Sequence, residues 1–144
     1  MIRLPKAKGG KRILIANRGE IAARIAKACR ELGHTAVGVW TDAEPNAFHL
    51  HYCDEWVHLP GKNNGETYLN VPAILEVVKK HNIDGVHPGY GFLSENADFG
   101  RALDKAGVVF IAPNTEAIRV MGDKATSKAL AQKAGVPVVP GTSE

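Results

Sequence analysis

Apolar and polar positions along this chain form blocks that predict short strands and amphipathic helices. Between most of the apolar runs, apolar residues recur at steps of three and four, which is typical of a helix with one buried face. Because strands and helices alternate, the pattern predicts an α/β fold with a Rossmann-like, doubly wound parallel sheet. The predicted strands cover residues 12–16, 36–40, 56–59, 83–86 and 108–112.

The first predicted helix directly follows the first strand. Asn17 is a candidate helix cap, and Arg18 is a candidate contact for an anion, an acidic side chain or another subunit. The turn contains a single glycine, Gly19, where a dinucleotide-binding fingerprint requires three. The predicted buried stripe of this helix is Ile21, Ile25, Ala28, Cys29 and Leu32.

Cap residues predict where three later helices begin. Asn70 precedes a helix that ends near Asn82, and Asp123 precedes a helix over 124–134. A short helix is predicted from Asn114 or Thr115 to Met121.

Between the second and third strands, the apolar residues of 41–52 show no regular spacing, which predicts a loop or an irregular helix. A further helix is defined by the spacing of Phe99, Ala102, Leu103 and Ala106.

Length and composition indicate one globular domain. The chain has 144 residues, of which 44% are hydrophobic, and a formal net charge of +3. Much of the basic excess lies near the start, so residues 1–11 are expected to form a flexible basic leader and 12–135 the domain. No aromatic residues are interleaved with these basic ones, so nucleic-acid binding is not predicted. The proline-rich end, 136–144, is expected to be a linker.

Several functional classes receive no support from the sequence. No apolar run is long enough for a membrane span or a signal peptide, so we expect a cytoplasmic protein. Cys29 and Cys53 do not form a CxxC pair, and Cys29 is expected to be a core residue. Four possible metal ligands lie close together in the sequence, namely His49, His51, Cys53 and His58. Their spacing matches no recognised metal-binding motif, so no metal site is predicted.

The segment 87–96 is the first candidate for chemistry. It follows a predicted strand and precedes a predicted helix, the position where α/β proteins bind ligands. Its spacing alone fits either a ligand-binding loop or an ordinary strand-to-helix turn, in which the carboxylate only stabilises the helix. Its distinctive groups are the glycines Gly89 and Gly91, the hydrogen-bonding side chains of His87 and Tyr90, and the carboxylate of Glu95.

A lysine at a helix start is the second candidate. Lys124 follows Gly122 and Asp123, where free backbone N–H groups and a positive charge together would suit a phosphate. The alternative is a solvated surface charge. The chain contains no P-loop sequence and no serine or cysteine in a nucleophile elbow.

Four motifs together resemble the N-terminal, pre-ATP-grasp domain of biotin carboxylases. They are IANRGEIA at 15–22, HPGYGFLSEN at 87–96, MGDK at 121–124 and AGVP at 134–137. That family includes the biotin carboxylase portions of acetyl-CoA, pyruvate, propionyl-CoA and methylcrotonyl-CoA carboxylases. The resemblance covers nearly all of the chain after Lys11, with the motifs in the same order and spacing.

This resemblance implies ATP- and bicarbonate-dependent carboxylation of biotin on a carrier protein, through carboxyphosphate. By matching positions, Lys124 would contact the ATP phosphates. Tyr90, Gly91 and Glu95 would face biotin and carboxyphosphate. Arg24 and Glu31, on the first helix, would be candidates for dimer contacts.

The same resemblance implies partners that are not within these 144 residues. They are the ATP-grasp and third domains of the enzyme, a biotin carrier, a carboxyltransferase and a second copy of the chain. Mg²⁺ would be held mainly by the ATP-grasp domain, so the chain alone is expected to be inactive. In a eukaryote the mitochondrial matrix would be the expected compartment. The alternatives are the equivalent domain of another ATP-grasp ligase and a non-catalytic module that binds nucleotides or partners.

Overall fold

The structure, a computed structural model, describes residues 9–139 and is built on one parallel sheet. Its strands are β1 (Arg12–Ile15), β2 (Thr35–Trp40), β3 (Glu55–His58), β4 (Gly85–His87) and β5 (Val109–Phe110). The sheet order is β3-β2-β1-β4-β5, and every pairing is parallel. The chain therefore runs outward from β1 through β2 to β3 on one side. It then crosses back to form β4 on the other side of β1 and continues outward to β5. This confirms the predicted doubly wound α/β fold.

In the part of the chain that the structure describes, four of the five α-helices begin with a side-chain cap. Asn70, Asn96, Asn114 and Asp123 each accept a hydrogen bond from the backbone N–H three residues later, over 2.7 to 3.1 Å. Removing such a cap typically costs about 0.5–2 kcal/mol. The predicted caps Asn70 and Asp123 are confirmed. The helices are α1 (Gly19–Glu31), α2 (Val71–Lys80), α3 (Ala97–Lys105), α4 (Thr115–Met121) and α5 (Lys124–Lys133), and a short 3₁₀ helix spans Phe48–Tyr52.

The two faces of the sheet carry different layers. Successive residues of a strand point to opposite faces, so Leu14 of β1 packs in one core and Ile13 and Ile15 in the other. The Leu14 core is closed by apolar residues of α2 and α3, including Ile74 and Phe99. The opposite core is closed by α1 through Ala22, Ile25, Ala26 and Cys29.

α1 covers only part of its face. A groove of about 600 Å³ lies between α1 and the β4–β5 side of the sheet. Leu32, which was predicted to be buried, is 69% exposed because it caps the end of α1 beyond the last helical turn. Cys29 is buried in the core, as predicted.

The last strand is shorter than predicted. Residues 108–112 were expected to form a continuous strand, but only Val109 and Phe110 are in the sheet. The backbone N–H of Ala112 donates to the carbonyl of Phe110, so the chain turns before Pro113. Because β5 is the edge strand beside the open groove, Val109 is 64% exposed.

Parts of the predicted leader and linker lie outside the described residues, namely 1–8 and 140–144. Lys11, the last residue of the predicted leader, donates its backbone N–H to His34 and accepts from the N–H of Thr35. The predicted domain boundaries stay predictions. Within residues 9–139 no helix is both long and apolar enough to cross a membrane.

Candidate functional site

Two strand-to-helix junctions meet at the centre of the sheet. β1 and β4 are neighbours, with Ile15 opposite His87, and the chain leaves both strands at the same edge. The β1 junction leads into α1, and the β4 junction is the segment 87–96 that leads into α3. The order of winding reverses between these two strands, which is where open α/β sheets bind their ligands.

Asn17 joins the two junctions. Its side chain is buried, and its Nδ2 donates to the carbonyl of Pro88 at 2.7 Å and to that of Tyr90 at 2.8 Å. Its Oδ1 accepts from the backbone N–H of Arg18 at 2.8 Å. The prediction that Asn17 caps α1 was wrong. Arg18 is the N-cap, without a side-chain cap bond, because the Asn17 amide is already committed to the neighbouring loop.

The glycines of the loop have different roles. Gly89 and Gly91 adopt φ of +67° and +64°, a conformation that favours glycine. A Cβ on Gly89 would lie 2.6 Å from Nδ2 of Asn17, so this position is needed for the close approach of the two junctions. A Cβ on Gly91 would meet nothing within 4 Å, which leaves its backbone open to a ligand.

Tyr90, between the two glycines, projects outward. Its side chain is 62% exposed, and its hydroxyl donates to Oε1 of Glu20 at 2.8 Å. That hydrogen bond, together with the negative charge of Glu20, raises the pKa of the Tyr90 phenol. Sequence reasoning missed this contact, since Glu20 and Tyr90 are 70 positions apart and no local pattern links them.

His87 and Glu95 lie at the two ends of the loop. Nδ1 of His87 accepts from the backbone N–H of Gly89 at 3.0 Å, and burial, followed by the charge of Arg24, lowers the pKa of His87. The lowered pKa favours a neutral His87, which can accept the hydrogen bond from Gly89 and so restrain the start of the loop. Glu95 is exposed and precedes Asn96, the cap of α3, so its carboxylate lies just before the helix.

Arg18 has an acidic partner. Its guanidinium lies 3.4 Å from Oε2 of Glu44 and over the ring of Phe92, with 5.9 Å to the ring centroid. Among the interpretations that the sequence left open, the structure favours an ion pair. Arg18 and Lys62 also line a recess of about 240 Å³ beside β2.

Lys124 lies in a different part of the structure. It is the first residue of α5, where Asp123 caps the helix by accepting from the N–H of Thr126 at 2.7 Å. A hydrogen bond from the Thr126 hydroxyl, together with this backbone bond, lowers the pKa of Asp123. Within the described chain, α5 packs on α4, and none of its own residues is buried.

Arg24 and Glu31 are both exposed on α1. Arg24 lines the groove beside β4, and Glu31 lies 3.9 Å from Nζ of Lys27. The structure thus separates the predicted site residues into three groups, which are the loop after β4, the start of α5 and the outer side of α1.

The His and Cys residues between 49 and 58 have separate environments. Nε2 of His49 donates to the carbonyl of Val39 at 2.8 Å, and Nε2 of His58 contacts Asp42 at 2.8 Å. Cys53 is buried, and burial raises the pKa of its thiol to about 12. In the part of the chain that the structure describes, no three His, Cys, Asp or Glu side chains are grouped to hold a metal ion.

The parallel sheet and the glycine-containing loop at its centre define an α/β domain with a candidate ligand-binding edge. The profile of the biotin carboxylase N-terminal domain matches residues 9–118. The chain belongs to this family.

Similar proteins and solved structures agree with this family membership. Human mitochondrial pyruvate carboxylase is 47% identical over 143 residues, covering 98% of this chain and 12% of the human protein. Biotin carboxylase of Allochromatium vinosum is 49% identical over 131 residues, covering 91% of this chain and 29% of that enzyme. The biotin carboxylase domain of a single-chain bacterial carboxylase superimposes with a TM-score of 0.87 at 46% identity, covering 93% of this chain and 31% of that one. The chain therefore spans less than a third of each relative.

Proposed function

We propose that this chain supplies the N-terminal domain of a biotin carboxylase, an ATP- and bicarbonate-dependent ligase that carboxylates biotin on a carrier protein. Family membership and the identity to pyruvate and biotin carboxylases support the proposal. The reaction would consume ATP to activate bicarbonate as carboxyphosphate and would place the carboxyl group on a ureido nitrogen of biotin.

The observation that carries the proposal is the loop at the meeting point of β1 and β4. Gly91 leaves space where a side chain would stand, and Tyr90 extends beside it with an exposed phenol. A flat polar group such as the biotin ureido ring would fit against this open backbone. Glu95, exposed at the end of the same loop, would face the biotin and carboxyphosphate side of the site.

Lys124 is proposed to bind the phosphates of ATP. The Nζ group stands at the first turn of a ten-residue helix, where backbone N–H groups favour anions. The lysine would offset the charge of the nucleotide and hold its phosphates in position. A charge-assisted contact of this kind contributes about 1.5–3 kcal/mol.

Other groups would come from outside this chain. The proposed Mg²⁺ ions would be bound mainly by the ATP-grasp domain, and the proposed partners are the other enzyme domains, the biotin carrier and the carboxyltransferase. Arg24 and Glu31, exposed on α1, are proposed to contact a second copy. The proposed compartment is the cytoplasm, or the mitochondrial matrix in a eukaryote, because some relatives carry a mitochondrial name.

The test uses the complete product of the gene that encodes this chain. We expect it to hydrolyse ATP when bicarbonate is present, and to form carboxybiotin when biotin is added as well. The 144-residue chain alone is expected to show no such turnover. A gene product that instead requires a different acceptor would identify another ATP-grasp ligase, and one without ATP turnover would indicate a binding module.

A single substitution tests the role of Lys124. Lys124→Gln is expected to raise the KM for ATP or lower kcat by about 10- to 100-fold, because a phosphate contact of 1.5–3 kcal/mol is lost. Lys133→Gln, at the other end of α5, is the matched control and should behave as wild type. Equal kinetics for the two variants would contradict the assignment.

A further inference from the structure

Tyr90 is held from two directions. Its backbone carbonyl accepts from Nδ2 of Asn17 at 2.8 Å, and its hydroxyl donates to Oε1 of Glu20 at 2.8 Å. Its side chain is 62% exposed, so packing does little to restrain the ring. With the backbone and the hydroxyl both restrained, the two side-chain torsions in between have little freedom.

The two supports differ in strength. Asn17 is buried and bonds to two loop carbonyls, which makes the backbone support part of the core. Glu20 is exposed in the first turn of α1, so its carboxylate reaches Tyr90 across the surface. The position of the phenol oxygen therefore depends on Glu20.

The direction of this hydrogen bond has a chemical consequence. An ionised carboxylate can only accept, so the phenol proton points toward Glu20. The lone pairs of the Tyr90 oxygen remain available, and a ligand meets a hydrogen-bond acceptor there. The raised pKa of Tyr90 agrees with a phenol that keeps its proton at neutral pH.

We infer that Glu20 is a positioning residue that orients Tyr90 as a hydrogen-bond acceptor for an N–H group of the biotin ureido ring. The inference rests on the proposed function, since it assigns biotin to this loop. Glu20 itself does not touch the substrate, and its effect is transmitted through the Tyr90 phenol. Tyr90→Phe would remove the acceptor directly, and Glu20→Ala would leave it in place but unoriented.

Kinetics of the complete gene product with free biotin test this inference. We expect Glu20→Ala to raise the KM for biotin about tenfold, the effect of losing one hydrogen bond, with the KM for ATP unchanged. Glu20→Gln, which retains an acceptor oxygen, should recover much of this loss. In a Tyr90→Phe background, Glu20→Ala should have no further effect, because Glu20 acts only through the phenol. Glu116→Ala, an exposed acidic residue on α4, is the matched control.

Titration of the chain itself gives a second readout. The tyrosine ring resonances, followed by NMR, should show that Glu20→Ala lowers the pKa of Tyr90 and leaves Tyr52 and Tyr68 unaffected. An active wild-type enzyme in which Glu20→Ala leaves the KM for biotin unchanged overturns the role of Glu20 but not the proposed function. Effects of Glu20→Ala and Tyr90→Phe that simply add overturn it in the same way. A wild-type product that does not carboxylate biotin overturns both.

Discussion

The loop after β4 and the start of α5 both carry a candidate ligand contact, but they are built differently. The loop is joined to the core by Asn17, a buried side chain with three hydrogen bonds of 2.7 to 2.8 Å. In contrast, no residue of α5 within the described chain is buried, and its partner in packing is α4. The family match covers the loop and ends at residue 118, before α5 begins.

This difference indicates which of the two candidate ligand contacts is already fixed in position by this domain alone. A contact supported by buried hydrogen bonds is preorganised, so little free energy is lost when a ligand binds. The backbone of Tyr90 meets this condition through its bond to Asn17, and its phenol is held at the surface by Glu20. Lys124 stands on a helix whose main packing partner in the described chain is α4, so its final position would depend on the domains that follow in the relatives.

Loss of the Asn17 side chain should have the largest effect on stability. Asn17→Ala leaves the carbonyls of Pro88 and Tyr90 without this donor and the N–H of Arg18 without this acceptor, all near the core. We expect the free energy of unfolding, measured with urea, to fall by about 3 kcal/mol. Asn114→Ala, which removes an exposed cap from α4, is the matched control and should cost about 1 kcal/mol. Equal losses would remove the distinction between the two regions.

A pair of glycine substitutions separates backbone strain from crowding. Gly89 and Gly91 have nearly the same positive φ, so Gly→Ala should cost about 1 kcal/mol at either position through the backbone. At Gly89 the new Cβ would also meet Asn17 at 2.6 Å, and we expect a total loss of about 2 kcal/mol in urea unfolding. If Gly91→Ala is as costly as Gly89→Ala, the close approach to Asn17 is not what restricts the loop.

The smallest effect on global stability is expected at the start of α5. Asp123→Ala removes the bond to the N–H of Thr126, which should weaken the helix by about 1 kcal/mol. Because α5 buries no residue, this loss should appear as faster amide exchange within α5. Global unfolding in urea should change by less than about 0.5 kcal/mol. A global loss as large as that of Asn17→Ala would place α5 in the same cooperative unit as the loop.

Local features of the chain are sufficient to predict most of the fold. The apolar runs locate the five strands found within residues 9–139, and Asn70 and Asp123 mark helix starts where the structure has them. These predictions succeed because strand pleating, helical spacing and capping each depend on residues close in sequence. The prediction for 108–112 was too long, since an apolar run does not reveal that its strand lies at an edge and turns early.

Contacts between residues that are distant in sequence could be identified only from the three-dimensional structure. Asn17 looked like a helix cap because its immediate neighbours permit that role, whereas its Nδ2 group donates to carbonyls 71 and 73 positions away. The bond between Glu20 and Tyr90 spans 70 positions. Both follow from the placement of β4 beside β1, and strand order is a property of the whole sheet that short apolar segments do not encode. The sequence thus predicts the elements and the candidate loop, and the packing of β1 against β4 creates the contacts that shape it.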